Sequence, residues 1–283
     1  MRKIIMKKKF GLIVFCLLLT LVFSGCSGSE SVKTNKNVDS KKLVFGFTPG
    51  PYSDQVKKGI EPLLKEKGYS IKYVEFSDPG QPNFGLAEGS LDVNIFQHTA
   101  YFENFKKENN LDLYEVIKVP TAPMGVYSDK HDSIKEVKDG FKVAIPNDPP
   151  NVARALRILE KIGWVTLKKG YDPITVSKRD IEEQKVNFSF VEVEQAQLPR
   201  TLPDVDYALV NGNFILANDR KLSSSLYLED PPFEYQNLVA VRTEDKDKQF
   251  VKDIIKAYKS TEFKKVIESD KNFEGFHRPD YFK

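Results

Sequence analysis

Aromatic side chains with polar edges cluster at the end of one apolar segment, Leu91 to Phe96. Gln97, His98 and Tyr101 follow Phe96 closely along the chain. The segment is typical of a short strand, and ligand crevices in α/β sheets lie beyond the carboxyl ends of strands. Aromatic faces suit an apolar or thioether chain, because sulfur packs well on rings. The alternative for Phe96 alone is a place in the hydrophobic core.

A cationic candidate follows the next predicted strand, Phe141 to Pro146. The residues Asn-Asp-Pro-Pro-Asn then predict a rigid turn, and a helix Val152 to Ile162 is expected with Arg154 in its first turn. Free N–H groups at a helix N-terminus favour an anion, and a guanidinium can bind a carboxylate through two parallel hydrogen bonds. Arg154 is therefore a candidate for binding a ligand carboxylate. The alternative is a pair with a surface acid.

Two asparagines are expected at strand ends. Asn211 ends the predicted strand Tyr207 to Asn211, and Asn237 lies near the start of another, Tyr235 to Arg242. An asparagine amide can accept from an ammonium group and donate to a carbonyl, although either residue could simply shape a turn. With Arg154 and the rings, they predict a site for a small zwitterion between two lobes.

No catalytic or metal-binding motif is evident. The sequence lacks G-x-S-x-G, P-loop and G-x-G-x-x-G patterns. His98, His131 and His277 are far apart and do not have the spacing of metal ligands. The sequence therefore predicts a binding protein that is not an enzyme and has no cofactor and no metal.

The elements expected around these residues alternate between strands and helices. Strands at Lys42 to Thr48, Ile71 to Phe76 and Leu91 to Phe96 are separated by predicted helices, which indicates parallel pairing with right-handed crossovers. Pro62 should kink the first helix or end its regular part. The further expectations are a strand Met124 to Tyr127 leading out of the first lobe, a turn Ile181 to Gln184, and one long helix Lys246 to Glu268.

The N-terminus has the pattern of a secretory signal. A basic start is followed by the apolar run Phe10 to Phe23 and by Ser-Gly-Cys ending at Cys26. We expect cleavage after residue 25 and lipidation of Cys26; the alternative is an uncleaved anchor. Removing the five basic residues of this segment leaves 38 Lys and Arg against 40 Asp and Glu, a net charge of −2. A nucleic-acid partner, which needs a clustered basic face, is therefore not expected.

Longer motifs resemble a known family. The sequence reads D-V-N-I-F-Q-H-T-A-Y at 92–101, V-A-I-P-N-D-P-P-N-V-A-R-A-L at 143–156 and D-V-D-Y-A-L-V-N at 204–211, and it resembles the NlpA/MetQ family of methionine-binding lipoproteins. The resemblance implies an α/β fold of the two-lobed periplasmic-binding type (type II) with a hinged ligand cleft. It also implies a lipid-anchored protein on the outer face of the cell membrane, serving the permease and ATPase of an ABC importer.

The resemblance also implies residue roles and domain limits. Arg154 falls on the arginine that binds the ligand carboxylate, Asn211 and Asn237 on the asparagines that hold the amine, and Phe96, His98 and Tyr101 on the side-chain pocket. The implied organisation is a signal peptide at 1–25, a lipidated Cys26 and tether at 26–41, one lobe at 42–130 and 236–283, and a second lobe at 131–235.

One position departs from the family pattern. Pro79 stands where the family usually has a tyrosine. This substitution should widen or reshape the side-chain pocket. It leaves open a longer ligand, such as a short methionine-containing peptide, beside methionine or a related amino acid. A surface lipoprotein with no transport role is a further alternative.

Overall fold

Two five-stranded sheets form the framework of the protein in the computed structural model, which describes residues 41–283. The first sheet places a parallel three-stranded half beside two later strands. In spatial order it consists of β2 (Tyr69–Glu75), β1 (Lys41–Phe47), β3 (Val93–Asn94), β12 (Leu238–Arg242) and β4 (Leu113–Lys118).

Parallel pairing of the first three strands is confirmed. β1 pairs in parallel with both β2 and β3, whereas β12 runs antiparallel to β3 and to β4. The first helix is interrupted: a π-helical turn, Val56–Ile60, separates α1 (Tyr52–Gln55) from α2 (Glu61–Lys65). Its regular part therefore ends before Pro62, as expected. The remaining helices before β4 are α3 (Gln81–Ala87) and α4 (Thr99–Asn109).

The second sheet is built mainly from the middle of the chain. In spatial order it contains β11 (Tyr227–Leu228), β5 (Gly125–Tyr127), β10 (Tyr207–Val210), β6 (Lys142–Pro146) and β9 (Ser189–Val193). β5 pairs antiparallel with β10, so residues 125–127 lie in this sheet and not in the first lobe, where they were expected. The change of sheet therefore precedes residue 130.

Further differences from expectation lie around the second sheet. Residues 181–184 form a strand, β8 (Ile181–Gln184), which pairs antiparallel with β7 (Val165–Leu167) in place of the expected turn. The helix α5 (Pro149–Lys161) begins three residues earlier than expected, because Asp148 caps it. Arg154 consequently lies in the second turn. Two short helices complete this lobe, α6 (Leu198–Thr201) and α7 (Gly212–Ala217).

The C-terminal segment returns to the first sheet. The expected long helix is instead two helices, α8 (Gln249–Tyr258) and α9 (Thr261–Ser269). Ser260 interrupts the pattern because its hydroxyl accepts from the Phe263 N–H at 3.1 Å and so caps α9. Hydrophobic periodicity continues through this break, which is why it does not show in the pattern.

Two segments connect the sheets, residues 119–124 and 229–237. They are hydrogen-bonded to each other: Val119 N–H donates to Asn237 O at 2.8 Å, and Glu229 N–H donates to Met124 O at 3.1 Å. Each lobe has its own apolar core, one around Phe45 and Ile254 and one around Leu156 and Leu209. No helix within residues 41–283 is long and apolar enough to cross a membrane.

Candidate functional site

A partly enclosed cavity lies between the two sheets, beside the connecting segments. It leaves about 360 Å³ unfilled by atoms, open solvent included. The six residues singled out from the sequence all contribute to its lining: Phe96, His98, Tyr101, Arg154, Asn211 and Asn237. The structure thus brings together side chains that are up to 141 residues apart, as in the hydrogen bond from Asn237 Nδ2 to Phe96 O at 2.9 Å.

The first lobe supplies the rings. Phe96 follows β3, His98 caps α4, and Tyr101 lies in the first turn of that helix. Tyr101 meets Phe96 and His98 edge-on, with ring centroids 6.2 Å and 6.3 Å apart, and stacks on Phe105. These contacts hold the apolar wall of the cavity in one arrangement.

His98 connects the two lobes. Its Nδ1 accepts from the Tyr101 N–H at 3.1 Å, so Nε2 carries the proton and donates to Asn151 Oδ1, also at 3.1 Å. Burial, together with the positive charge of Arg154, holds the pKa of His98 well below its usual value. The ring is therefore neutral at pH 7, and it serves as a hydrogen-bonding side chain across the cleft.

Asn151 is a lining residue that the sequence argument treated only as part of a turn. Its Oδ1 accepts from His98 and, at 2.8 Å, from Asn211 Nδ2; its own Nδ2 donates to Asp148 Oδ1 at 2.9 Å. The Asn211 amide is oriented by this bond from its Nδ2. Its Oδ1 is buried and has no hydrogen-bond donor among the described residues. A buried acceptor without a partner is costly unless a ligand satisfies it.

Arg154 is buried, with 2% of its surface exposed, and it binds a buried acid. Its Nε donates to Glu229 Oε1 at 2.9 Å and Oε2 at 3.1 Å, and its Nη2 also contacts Oε1. The alternative of a pair with a surface acid is therefore wrong, because the acid that binds Arg154 is buried. No described residue accepts from Arg154 Nη1, so this end of the guanidinium remains for a ligand in the cavity it lines.

Asn237 is fixed by the backbone around it. Its N–H donates to Thr121 Oγ1 at 2.8 Å, and its Nδ2 donates to Phe96 O. The side-chain oxygen therefore remains as an acceptor in the cavity lining. Further polar groups that the sequence did not indicate are Thr48, whose buried hydroxyl has no partner among the described residues, and Gln195.

A cluster of buried amides supports the ring-bearing segment. Gln97 Nε2 donates to Asn83 Oδ1 at 2.6 Å and to Asn94 Oδ1 at 3.1 Å, and Asn83 Nδ2 donates back to Gln97 Oε1 at 2.7 Å. The three amides satisfy one another because each supplies both donors and an acceptor. They fix the backbone just after β3, in the segment that carries Phe96 and His98.

Pro79 lies in the lining, on the first-lobe side of the cavity. The residue is buried, so the side chain at position 79 shapes this wall directly. Within residues 41–283, no cluster of His, Cys, Asp and Glu could hold a metal ion.

Comparison with known proteins identifies the family. A model of the NlpA lipoprotein family matches residues 43–279. The chain belongs to the NlpA lipoprotein family. Among curated relatives, the D-methionine-binding lipoprotein MetQ of Salmonella typhi is 35% identical over 253 residues, which cover 88% of this chain and 90% of that protein.

Solved structures of relatives share the fold. A nutrient-binding protein from Burkholderia cenocepacia, solved bound to methionine, is 38% identical, with a TM-score of 0.77 over 82% of this chain and 97% of that one. An ABC-transporter periplasmic substrate-binding protein from Coxiella burnetii is 33% identical, with a TM-score of 0.78 over 84% and 100%. The predicted two-lobed periplasmic-binding fold is therefore confirmed.

Proposed function

We propose that this protein is the lipid-anchored substrate-binding component of an ABC importer and that it captures methionine or a closely related free amino acid. Its relatives in the NlpA lipoprotein family include D-methionine-binding lipoproteins and a protein solved with methionine bound. It releases the amino acid to a membrane permease driven by an ATPase. The family is one of binding proteins, and we propose no catalytic activity.

One observation carries the proposal: unpaired polar groups from the second lobe and an aromatic wall from the first face the same buried cavity. The carboxylate of an amino acid would bind Arg154 Nη1, which has no acceptor among the described residues. Its ammonium group would donate to the oxygens of Asn211 and Asn237. Its thioether chain would pack among Phe96, His98 and Tyr101.

Binding contributed by both lobes implies closure. A ligand shifts an equilibrium between open and closed forms only through contacts that differ between them. Because the ring wall and Arg154 belong to different sheets, both can contact one ligand only when the lobes meet. Residues 119–124 and 229–237 are the segments at which we place the hinge. Ligand should therefore reduce the radius of gyration in small-angle scattering, and an unchanged radius at saturation would contradict closure.

The anchor lies outside the described residues. We propose that residues 1–25 are removed and that Cys26 carries two acyl chains, since one chain binds a membrane only marginally whereas two attach it stably. Residues 26–40 form the tether in this proposal, one residue fewer than the resemblance implied, because Lys41 already belongs to β1. The folded body then works on the outer face of the cell membrane.

A peptide ligand is the second candidate, and Pro79 is the observation that favours it. Proline presents less surface than the tyrosine of the family pattern at a position that lines the cavity. The vacated space would suit a residue linked to methionine. Even so, the relative that was solved with methionine bound favours a free amino acid.

Native mass spectrometry of the purified protein tests the proposal. We expect intact methionine or a related amino acid to be carried through purification. A methionine-containing dipeptide would support the second candidate, and a chemically altered product would indicate an enzyme. Absence of a bound molecule, with no heat of binding for methionine in calorimetry, would overturn the proposed function.

Arg154→Ala supplies a residue-level test. Loss of the guanidinium would leave a ligand carboxylate buried without its partner, which costs about 2–5 kcal/mol for a truncated charged pair. The matched control is Arg157→Ala, one turn along α5, whose guanidinium pairs with Glu234 at 2.7 Å outside the cavity lining. Calorimetry should show a loss for every amino-acid ligand in the first variant and little change in the second.

A further inference from the structure

A buried carboxylate lies behind the arginine of the cavity. Glu229 binds Arg154 through Nε at 2.9 Å and 3.1 Å, and its Oε1 also accepts from the Met124 N–H at 2.6 Å. Only 9% of Glu229 and 2% of Arg154 are exposed. Glu229 is not among the residues that line the cavity, so a ligand there cannot replace it on the Nε side of the guanidinium.

The formal charges around the cavity are few. Arg154 is the one lining residue of the described chain with a side-chain charge at pH 7, because His98 is neutral. No carboxylate from residues 41–283 lines the cavity. The charges of Arg154 and Glu229 therefore cancel, and the negative charge of the pair is supplied from outside the lining. Asp148, which accepts from the lining amide of Asn151 at 2.9 Å, adds a further negative charge at pH 7, because burial raises its pKa only to about 6.

Cancellation of the Arg154 charge by Glu229 has a consequence for selectivity. Bringing a charged molecule into a buried site costs free energy unless a charge there compensates it. A site with Arg154 alone would compensate an anion. A site with the Arg154–Glu229 pair leaves a bound anion with uncompensated charge, whereas a zwitterion adds no net charge.

We propose that Glu229 is a specificity-determining residue that makes the cavity select net-neutral zwitterions over anions with the same side chain. The proposal rests on the proposed function, since it concerns the same cavity and an amino-acid ligand. Glu229 does not line the cavity and so does not contact a ligand bound there. It acts through its charge and by holding Arg154 in place against residues 119–124.

The neighbouring pair on the same helix provides a control. Glu234 accepts from Arg157 Nη1 at 2.7 Å, and both arginines lie over the Tyr235 ring, at 5.1 Å for Arg154 and 5.5 Å for Arg157. Neither Arg157 nor Glu234 lines the cavity. Glu234→Gln therefore removes the same charge from a neighbouring, more exposed pair without changing the charge behind the binding arginine.

The test compares two ligands by calorimetry at pH 7. Methionine is a zwitterion, and its 2-hydroxy analogue keeps the carboxylate and the thioether but has no ammonium group. A unit charge about 7 Å from a ligand charge alters affinity roughly fiftyfold at an effective dielectric of 20 and roughly eightfold at twice that value. We therefore expect Glu229→Gln to shift the affinity ratio about tenfold towards the hydroxy analogue, and Glu234→Gln to leave it unchanged.

The outcomes separate this proposal from the one on which it rests. A wild-type protein that binds neither ligand overturns the proposed function, and the inference with it. A wild-type protein that binds methionine, with the same ligand ratio in Glu229→Gln, overturns the inference alone.

Glu229→Gln leaves a buried arginine without its counter-ion and could fail to fold. In that case Arg154→Gln is compared with the double variant Arg154→Gln, Glu229→Gln. The single variant keeps one negative charge that the double variant lacks, and it should favour methionine amide, a cation, over methionine by about tenfold relative to the double variant. Equal ratios in the two variants would overturn the inference.

Discussion

The hydrogen bond between His98 and Asn151 allows a sharp test of how the two lobes are held together. Asn151→Ala removes three side-chain hydrogen bonds: those from His98 Nε2 at 3.1 Å and Asn211 Nδ2 at 2.8 Å, and the one to Asp148 Oδ1 at 2.9 Å. Only the bond with His98 joins the two lobes. The other two lie within the second lobe and exist whether the cleft is open or closed.

The bonds within the second lobe and the bond between the lobes therefore affect different quantities, the free energy of unfolding and the ligand affinity. At about 1 kcal/mol for each of the two bonds that the open form keeps, the free energy of unfolding of the ligand-free protein should fall by about 2 kcal/mol. Ligand affinity depends on the difference between closed and open forms, to which only the bond with His98 contributes. Leaving a buried N–H of His98 unpaired in the closed form costs about 1–3 kcal/mol, so the Kd for methionine should rise about 5- to 150-fold.

Calorimetry gives the Kd, and denaturant titration gives the free energy of unfolding. Asn109→Ala is the matched control, because Asn109 Nδ2 makes one bond, to Phe105 O at 3.0 Å, and neither residue lines the cavity. Its Kd should equal that of the wild type.

Asn151 also lines the cavity, so a change in Kd could come from a contact with the ligand. A double-mutant cycle with His98→Ala separates the two causes. If His98 and Asn151 stabilise the closed form through their mutual bond, their effects on binding are non-additive by about 1–3 kcal/mol. Strictly additive effects would refute the interlobe role of this bond.

Three further predictions concern the pocket wall, pH and the anchor. Pro79→Tyr should shift the binding preference towards free methionine over a methionine dipeptide, because a contact between the added ring and the thioether sulfur contributes about 1 kcal/mol. An unchanged ratio of the two affinities in calorimetry would show that Pro79 does not widen the pocket. Burial raises the pKa of Asp148 to about 6 from 3.8, so its native form favours the proton and its contribution to stability is lost as pH rises through 6. Asp148→Asn keeps the helix cap and should stabilise the protein by about 1–3 kcal/mol at pH 7, with no gain below pH 4, as denaturant titrations at the two pH values would show. Cys26→Ala, after signal removal, should release the protein from membranes in a fractionation assay, and full retention would rule out a lipid anchor at Cys26.

The sequence by itself indicated most of the elements and six residues of the cavity lining. Alternating apolar residues and helical spacing are local signals, so they specify strands and helices without knowledge of the fold. Ligand crevices lie beyond the carboxyl ends of strands, and His98 follows β3 of the first sheet while Asn211 follows β10 of the second, with the cavity between the sheets. This is why all six predicted site residues line one cavity, while their contacts with a ligand stay predictions.

Only the tertiary structure decided which groups pair across long stretches of chain. The partner of Arg154 is Glu229, 75 residues later, and the pair forms because the segment after β11 passes behind α5. No local pattern marks Glu229, since a glutamate near a strand end is usually exposed. The position of β5 in the second sheet is likewise set by pairing with β10, which periodicity does not encode. Burial and pairing are properties of the folded chain. They explain why Asn151, which the sequence indicates only as part of a turn, forms a hydrogen bond between the two lobes.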